Sequence, residues 1–199
     1  HVTALPEESF QNSQVDFVLT GGDYDFLLLN LCNFLERNGL SPQSTKELEI
    51  KGTLPDNKGD NIQLEPGIYY RENCQIRNTG RFQLNHDLDS LPFIDRNLTQ
   101  WQLYAYKNGN YRSTPGTYIM SGRDCWYREG GGCTFCSWPQ LYPKFRVRKV
   151  ENVLDEIEYL IENYPVKEIM DDTGTLPYGE WLRDFCNGII ERGLHKRVT

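Results

Sequence analysis

Between Gly116 and Ile190 the chain twice runs through one order, a short apolar strand and then an amphipathic helix. Gly116-Thr117-Tyr118-Ile119-Met120-Ser121 reads as the first strand. Val150, Val153, Leu154, Ile157, Leu160, Ile161 and Tyr164 then fall on one helical face, while Asp155, Glu156, Glu158 and Glu162 are expected to face water. Lys149 stands where a capping Ser or Asp would be favoured. Pro165–Met170 reads as a second strand. A further helix is expected to turn Trp181, Leu182, Phe185, Cys186, Ile189 and Ile190 inward and to stop at Gly193. Strand, helix, strand, helix at these lengths is the opening of a parallel barrel, and Arg197-Val198-Thr199 would begin its third strand.

The first strand runs straight into a cysteine loop. Half of the six cysteines, Cys125, Cys133 and Cys136, lie within twelve residues, with Gly130-Gly131-Gly132 between the first two. Thiolates are soft ligands for zinc or iron–sulfur clusters, and α/β folds place sites where parallel strands end. The count matters: a closed structural zinc site takes four protein ligands, whereas a four-iron cluster on three cysteines leaves one iron open. Two plainer readings stand beside this one. Cys133 and Cys136 would form half of a zinc knuckle completed by Cys186 or His195, or the thiols carry no metal.

Cys133-Thr134-Phe135-Cys136 followed by Ser137-Trp138-Pro139 resembles the cluster loop of the radical S-adenosylmethionine superfamily, especially its cobalamin-binding branch. That family's usual pattern is C-x3-C-x2-C with an aromatic before the last cysteine, the place of Phe135. Seven residues separate Cys125 from Cys133 here, a departure that bears on Cys125 as first ligand. Closure entropy grows only logarithmically with loop length, and glycines let the added turn fold over. The resemblance covers residues 1–38 and 85–199. It implies a [4Fe-4S] cluster on Cys125, Cys133 and Cys136, with the amine and carboxylate of S-adenosyl-L-methionine on the open iron and Phe135 shielding cluster and adenine. It further implies reductive cleavage to a 5′-deoxyadenosyl radical, an electron donor such as flavodoxin or ferredoxin, and, in the cobalamin branch, methyl transfer from cobalamin. The substrate class, small molecule or peptide, stays open. Asp171-Asp172-Thr173 resembles the acidic signature close to the methionyl amine, where a carboxylate suits an ammonium. Alternatively these acids cap the next helix.

Upstream, Val15–Thr20 reads as a buried strand ended by Gly21-Gly22, and Leu27, Leu28, Leu31, Phe34 and Leu35 as a helix stopping at Asn38-Gly39. The two glycines either make a tight turn or let a cofactor's nucleotide tail approach. From Leu48 to Leu84 short alternating runs broken by turn residues read as β-hairpins, with Cys74 a surface thiol beside a turn, and His86–Pro92 reads as a linker. The expected class is α/β: residues 1–40 the end of a doubly wound cobalamin-binding-like domain, 41–95 a β-hairpin connector and linker, and 96–199 the first βαβα of a partial radical-enzyme barrel of TIM type. His1 is a lone histidine, and with Thr199 closing a strand start the chain is expected to be a piece of a longer protein.

Composition narrows the rest. A net charge of −7 argues against a broad nucleic-acid surface. Arg123, Arg128, Lys144, Arg146, Arg148 and Lys149 form a local basic cluster, either solvated or facing an anionic ligand. No apolar run approaches the ~18 residues of a membrane span, no secretory signal is present, and cysteines without one suggest a reducing cytoplasm. Trp101, Tyr104, Tyr106 and Tyr111 either line a pocket or cover a barrel end.

Overall fold

The computed structural model describes residues 3–11, 13–38, 63–72, 74–106, 111–142 and 144–199, excluding the side chains of 139 and 140. The expected hairpin strands before residue 63, Gly39 and His1 lie outside them. In chain order the described elements are β1 (Phe17–Leu19), α1 (Tyr24–Arg37), β2 (Ile68–Glu72), β3 (Gln75–Asn78), α2 (Gln102–Ala105), β4 (Gly116–Ile119), β5 (Gly122–Arg123), α3 (Trp138–Leu141), β6 (Arg146–Val147), α4 (Val150–Asn163), β7 (Glu168–Asp171) and α5 (Glu180–Glu191). They form a mixed α/β structure of small sheets and helices in two compact units. Residues 1–86 and 137–143 make the first unit, and 87–136 and 144–199 the second.

In the first unit β1, β2 and β3 form one antiparallel sheet, with Val18 opposite Tyr69 and Tyr70 opposite Arg77. The hairpin Ile68–Asn78 therefore adds to β1 itself. Leu27 and Leu31, one turn apart on α1, pack on Ile68 because helical spacing puts them on one face. His86, read as linker, is instead a tie. Its Nδ1 lies 3.0 Å from Asp23 Oδ2 and its Nε2 2.7 Å from Glu65 Oε2, and its ring stacks on Phe26 at 4.3 Å.

Gly21 and Gly22 answer their question by what covers them. A Cβ on Gly21 would fall 2.5 Å from the Phe82 ring, and one on Gly22 only 1.9 Å from that of Tyr142. Both residues are small because aromatic rings lie on them, and Gly21 also turns the chain at φ +85°. Gly22→Ala must push Tyr142 aside, an overpacking worth about 1–3 kcal/mol. The expected result is faster amide exchange in β1, α1 and α3, read by hydrogen-exchange mass spectrometry.

In the second unit β4 and β7 pair in parallel, Gly116 opposite Glu168 through Ile119 opposite Asp171, with α4 as the crossover. Thr199 adds the backbone pattern of a further parallel neighbour: Ile169 N–H donates to Thr199 O at 2.9 Å and Thr199 N–H to Lys167 O at 3.0 Å. The core is Ile119, Val153, Leu154, Ile157, Leu160 and Leu194 with the ring of Trp101 edge-on to Tyr164. Leu160 is fully buried, which stabilises by about 1.5–3 kcal/mol. Gly188 lets α5 close on α4, since a Cβ there would meet Leu154 Cδ1 at 2.3 Å.

Two side-chain expectations need correction. Glu156 does not face water; it is 4% exposed, held between two arginines. Cys186 and Ile190 are exposed, whereas Trp181, Phe185 and Ile189 of α5 pack against the core. The uncapped start of α4 is served from a distance: Asp89 Oδ1 accepts the Lys149 N–H at 2.9 Å, placing a carboxylate where the helix dipole favours one.

Candidate functional site

The cysteine loop leaves the C-terminal end of β4. Ser121 ends that strand and Gly122–Arg123 pairs antiparallel with Arg146–Val147, where the absent Cβ of Gly122 lets Arg146 O approach. Asp124 then turns the chain at φ +79°, and Cys125 opens a single 3₁₀ turn, Trp126–Gly130. Gly131 and Gly132, both at positive φ, bring the chain back, with Gly131 N–H donating to Arg128 O at 2.9 Å and Gly132 N–H to Tyr127 O at 3.2 Å. Cys133 follows at once. Cys136 N–H donates to Cys133 O at 3.1 Å, so the last two cysteines sit at the ends of one tight turn. Cys133 is exposed, and Cys125 and Cys136 are half-buried.

A second segment, the residues after β7, holds this loop in place. Thr173 Oγ1 accepts the Gly122 N–H at 3.0 Å, Thr175 Oγ1 accepts the Trp126 N–H at 3.3 Å, and the ring of Trp126 packs on Tyr178 at 4.8 Å. Asp171 joins the two strand ends. Its Oδ1 accepts from the Ser121 N–H at 3.1 Å, the Thr173 N–H at 3.0 Å and the Thr173 hydroxyl at 2.7 Å, and its Oδ2 accepts from the Ser121 hydroxyl. With four donors converging on it, Asp171→Asn would aim an amide N–H at a donor. Leaving such a group unsatisfied costs about 1–3 kcal/mol. The measurement is the denaturation midpoint followed by tryptophan fluorescence, since Trp101, Trp126 and Trp181 all lie in the second unit.

The proposed site residues thus separate by circumstance. Asp172 is exposed, and among the described residues its backbone N–H donates to Ile119 O at 2.8 Å. Neither acid caps α5, whose first residue follows Gly179 with no side-chain cap. Phe135 is 89% exposed. The basic cluster is not one surface: Arg123 and Arg148 are buried, and Arg128 is paired with Asp124. Of the aromatic residues, Trp101 is core and Tyr111 lies on Gly116, while Tyr104 and Tyr106 are exposed. An apolar cavity of about 460 Å³ lies between the β4–β7 pair and the helices, lined by Ile119, Ile157, Phe185 and Ile189 and reaching Ser121 and Asp171 at the strand ends.

The donors fit an iron–sulfur cluster in kind: three thiols on one contiguous loop, without a fourth close in sequence. Among the described residues no three His, Cys, Asp or Glu side chains are gathered around a single point so as to hold one metal ion. A cubic cluster takes each thiolate on a different iron, so it asks for a wider triangle of sulfurs than a single ion does. Sequence reasoning missed Asp124 as a structural group, although its i, i+4 spacing to Arg128 was a signal.

No protein-family model and no solved structure matches this chain. It is similar to an uncharacterized methyltransferase of Pyrococcus horikoshii, 27% identical over 179 residues covering 88% of this chain and 32% of the relative. It is also similar to the anaerobic magnesium-protoporphyrin IX monomethyl ester cyclase of Cereibacter sphaeroides, at 26% over 152 residues, 75% of this chain and 23% of the relative. The cyclase of the same name from Rubrivivax gelatinosus is 24% identical over 186 residues, 89% of this chain and 29% of the relative. The chain spans less than a third of the length of these curated relatives, all of which carry enzyme names. Among the described residues no helix is long and apolar enough to cross a membrane.

Proposed function

We propose that this chain is the cofactor-binding part of a radical S-adenosylmethionine enzyme, with Cys125, Cys133 and Cys136 as ligands of a [4Fe-4S] cluster. The observation that carries the reading is a three-thiol loop, turned by glycines at positive φ, directly after the first strand of a parallel β–α–β pair. The names of the relatives, a methyltransferase and an anaerobic cyclase, support it. When bound, the cluster supplies one electron, from a donor such as flavodoxin or ferredoxin, that cleaves the sulfonium of S-adenosylmethionine and starts chemistry at an unactivated carbon of the substrate.

The chain's own residues do the holding. The Cys133–Cys136 turn presents two sulfurs from one rigid step, and Cys125 supplies the third from the start of the 3₁₀ turn. Phe135, an apolar ring with almost no cover, excludes water from the cluster once a nucleotide lies beside it. Asp171 is spent on Ser121 and Thr173 and keeps the strand ends together. Asp172, exposed beside it, is the carboxylate for the methionyl ammonium. A cobalamin role draws no support from the described residues of the first unit, where rings already cover Gly21 and Gly22. Anaerobic reconstitution of the intact protein with iron and sulfide tests the reading. The expected product is a brown protein with about four irons and four sulfides per chain. Stoichiometric zinc with no reconstitutable cluster would overturn it.

A further inference from the structure

We infer that Asp124 and Arg128 form a clasp that positions Cys125 against Cys133, so that the seven-residue spacing is a folded spacer and not slack. The inference rests on the cluster reading above for its purpose, but on separate observations for its geometry. Asp124 is 1% exposed and sits at φ +79°, in the left-handed region that Asp and Asn enter more readily than other residues with a side chain. Its carboxylate is held by Arg128, whose Nε pairs with Asp124 Oδ2 and whose Nη2 donates to Oδ1 at 3.3 Å. The same arginine is tied into the backbone between the cysteines. Its N–H donates to Cys125 O at 3.2 Å, and its carbonyl accepts from Gly131 at 2.9 Å.

The consequence is local closure. From Cys125 to Gly132 the chain is folded by successive backbone bonds, Arg128 N–H to Cys125 O, Gly131 N–H to Arg128 O and Gly132 N–H to Tyr127 O, with Gly132 lying over the Arg128 Cα. Cys125 leaves from one side of that loop and Cys133 from the other. Their separation is therefore set by the clasp and not by the length of chain between them. Of the pair Asp124 is buried and Arg128 is one-fifth exposed, so loss of Arg128 would strand a buried carboxylate, whereas loss of Asp124 releases the arginine to solvent. Asp124 touches no reacting atom in this scheme; it is a positioning residue.

Three variants divide the clasp into its parts. Asp124→Ala removes both the carboxylate and a side chain suited to positive φ. Asp124→Asn keeps tolerance for the left-handed region but loses the charge, and Asp124→Gly frees the backbone without a partner. Two readouts apply to each: amide exchange at Arg128, Gly131 and Gly132 in the metal-free protein, and iron per chain after anaerobic reconstitution. Asp124→Ala and Asp124→Gly should exchange those amides many-fold faster and take up several-fold less iron, with Asp124→Asn between them and the wild type. Exchange elsewhere in the second unit should be unchanged, which separates lost positioning from lost folding. Unchanged exchange at the three amides in Asp124→Ala would overturn the clasp. Faster exchange with full iron uptake would overturn its role in setting the thiols. If the wild type itself takes up no iron, the cluster reading fails, while the exchange experiment still decides whether the clasp exists.

Discussion

Cys133→Ala should leave the protein unable to hold any iron after anaerobic reconstitution, with the visible iron–sulfur absorption gone and the fold intact. Cys133 is the exposed member of the trio, so its side chain contributes nothing to a core and its loss costs no packing. In the proposed cluster its value is as a ligand: with two thiolates left, the cube would have two irons without protein sulfur, and such clusters are lost or degraded. Cys125→Ala and Cys136→Ala are expected to behave alike, whereas Cys186→Ala should load iron as the wild type does. This last variant separates the cluster from a zinc knuckle on Cys133 and Cys136 completed by Cys186 or His195. Cys186 stands exposed on α5, and His195 Nδ1 lies 3.4 Å from the Ile189 carbonyl. Metal content by mass spectrometry of the four variants reads the difference directly.

Glu156→Ala is expected to be the most damaging substitution for folding. Glu156 Oε2 lies 2.5 Å from Arg148 Nη1 and its Oε1 3.7 Å from Arg96 Nη2, with the three side chains exposed by no more than 10%. Arg96 Nε also donates to Thr117 Oγ1 at 2.7 Å and Arg148 Nη1 to Met120 O at 3.0 Å, so both arginines brace β4 just before the cysteine loop. Burial pulls the Arg96 guanidinium down from its usual pKa, and the Glu156 carboxylate opposes that pull. Without it, two buried cations face one another uncompensated, a loss of about 3–5 kcal/mol. That is a large share of a domain's whole stability. Tryptophan fluorescence against urea should show the second unit's transition moved to much lower denaturant. Glu156→Gln, which keeps the hydrogen-bonding shape without the charge, should fall between.

How much of this was legible beforehand follows from what kind of signal each residue sends. The helices α4 and α5 and the strands around them were readable because Val153, Leu154, Ile157 and Leu160 repeat at helical spacing and the strands are short apolar runs between turns. Glu156 was misread for the same reason. Periodicity reports the average polarity of a face, and one acid on its edge that meets two arginines from Arg96 and Arg148 leaves no trace in it. Cys186 failed in the opposite direction, since a small apolar residue beside a stripe is assigned to it although the helix axis rotates it outward. His86 looked like linker because its partners, Asp23 and Glu65, are distant in sequence. The cysteines themselves were found by type and spacing. What spacing could not give was the path between Cys125 and Cys133, which depends on a left-handed aspartate.

The most direct test of the central claim is the electron paramagnetic resonance spectrum of the reconstituted, chemically reduced protein, recorded without and with S-adenosylmethionine. A cluster on Cys125, Cys133 and Cys136 has one iron without a protein ligand, so adding S-adenosylmethionine should change the spectrum, and Asp172→Ala should weaken the concentration dependence of that change. A reduced cluster whose spectrum is identical with and without S-adenosylmethionine would contradict the account.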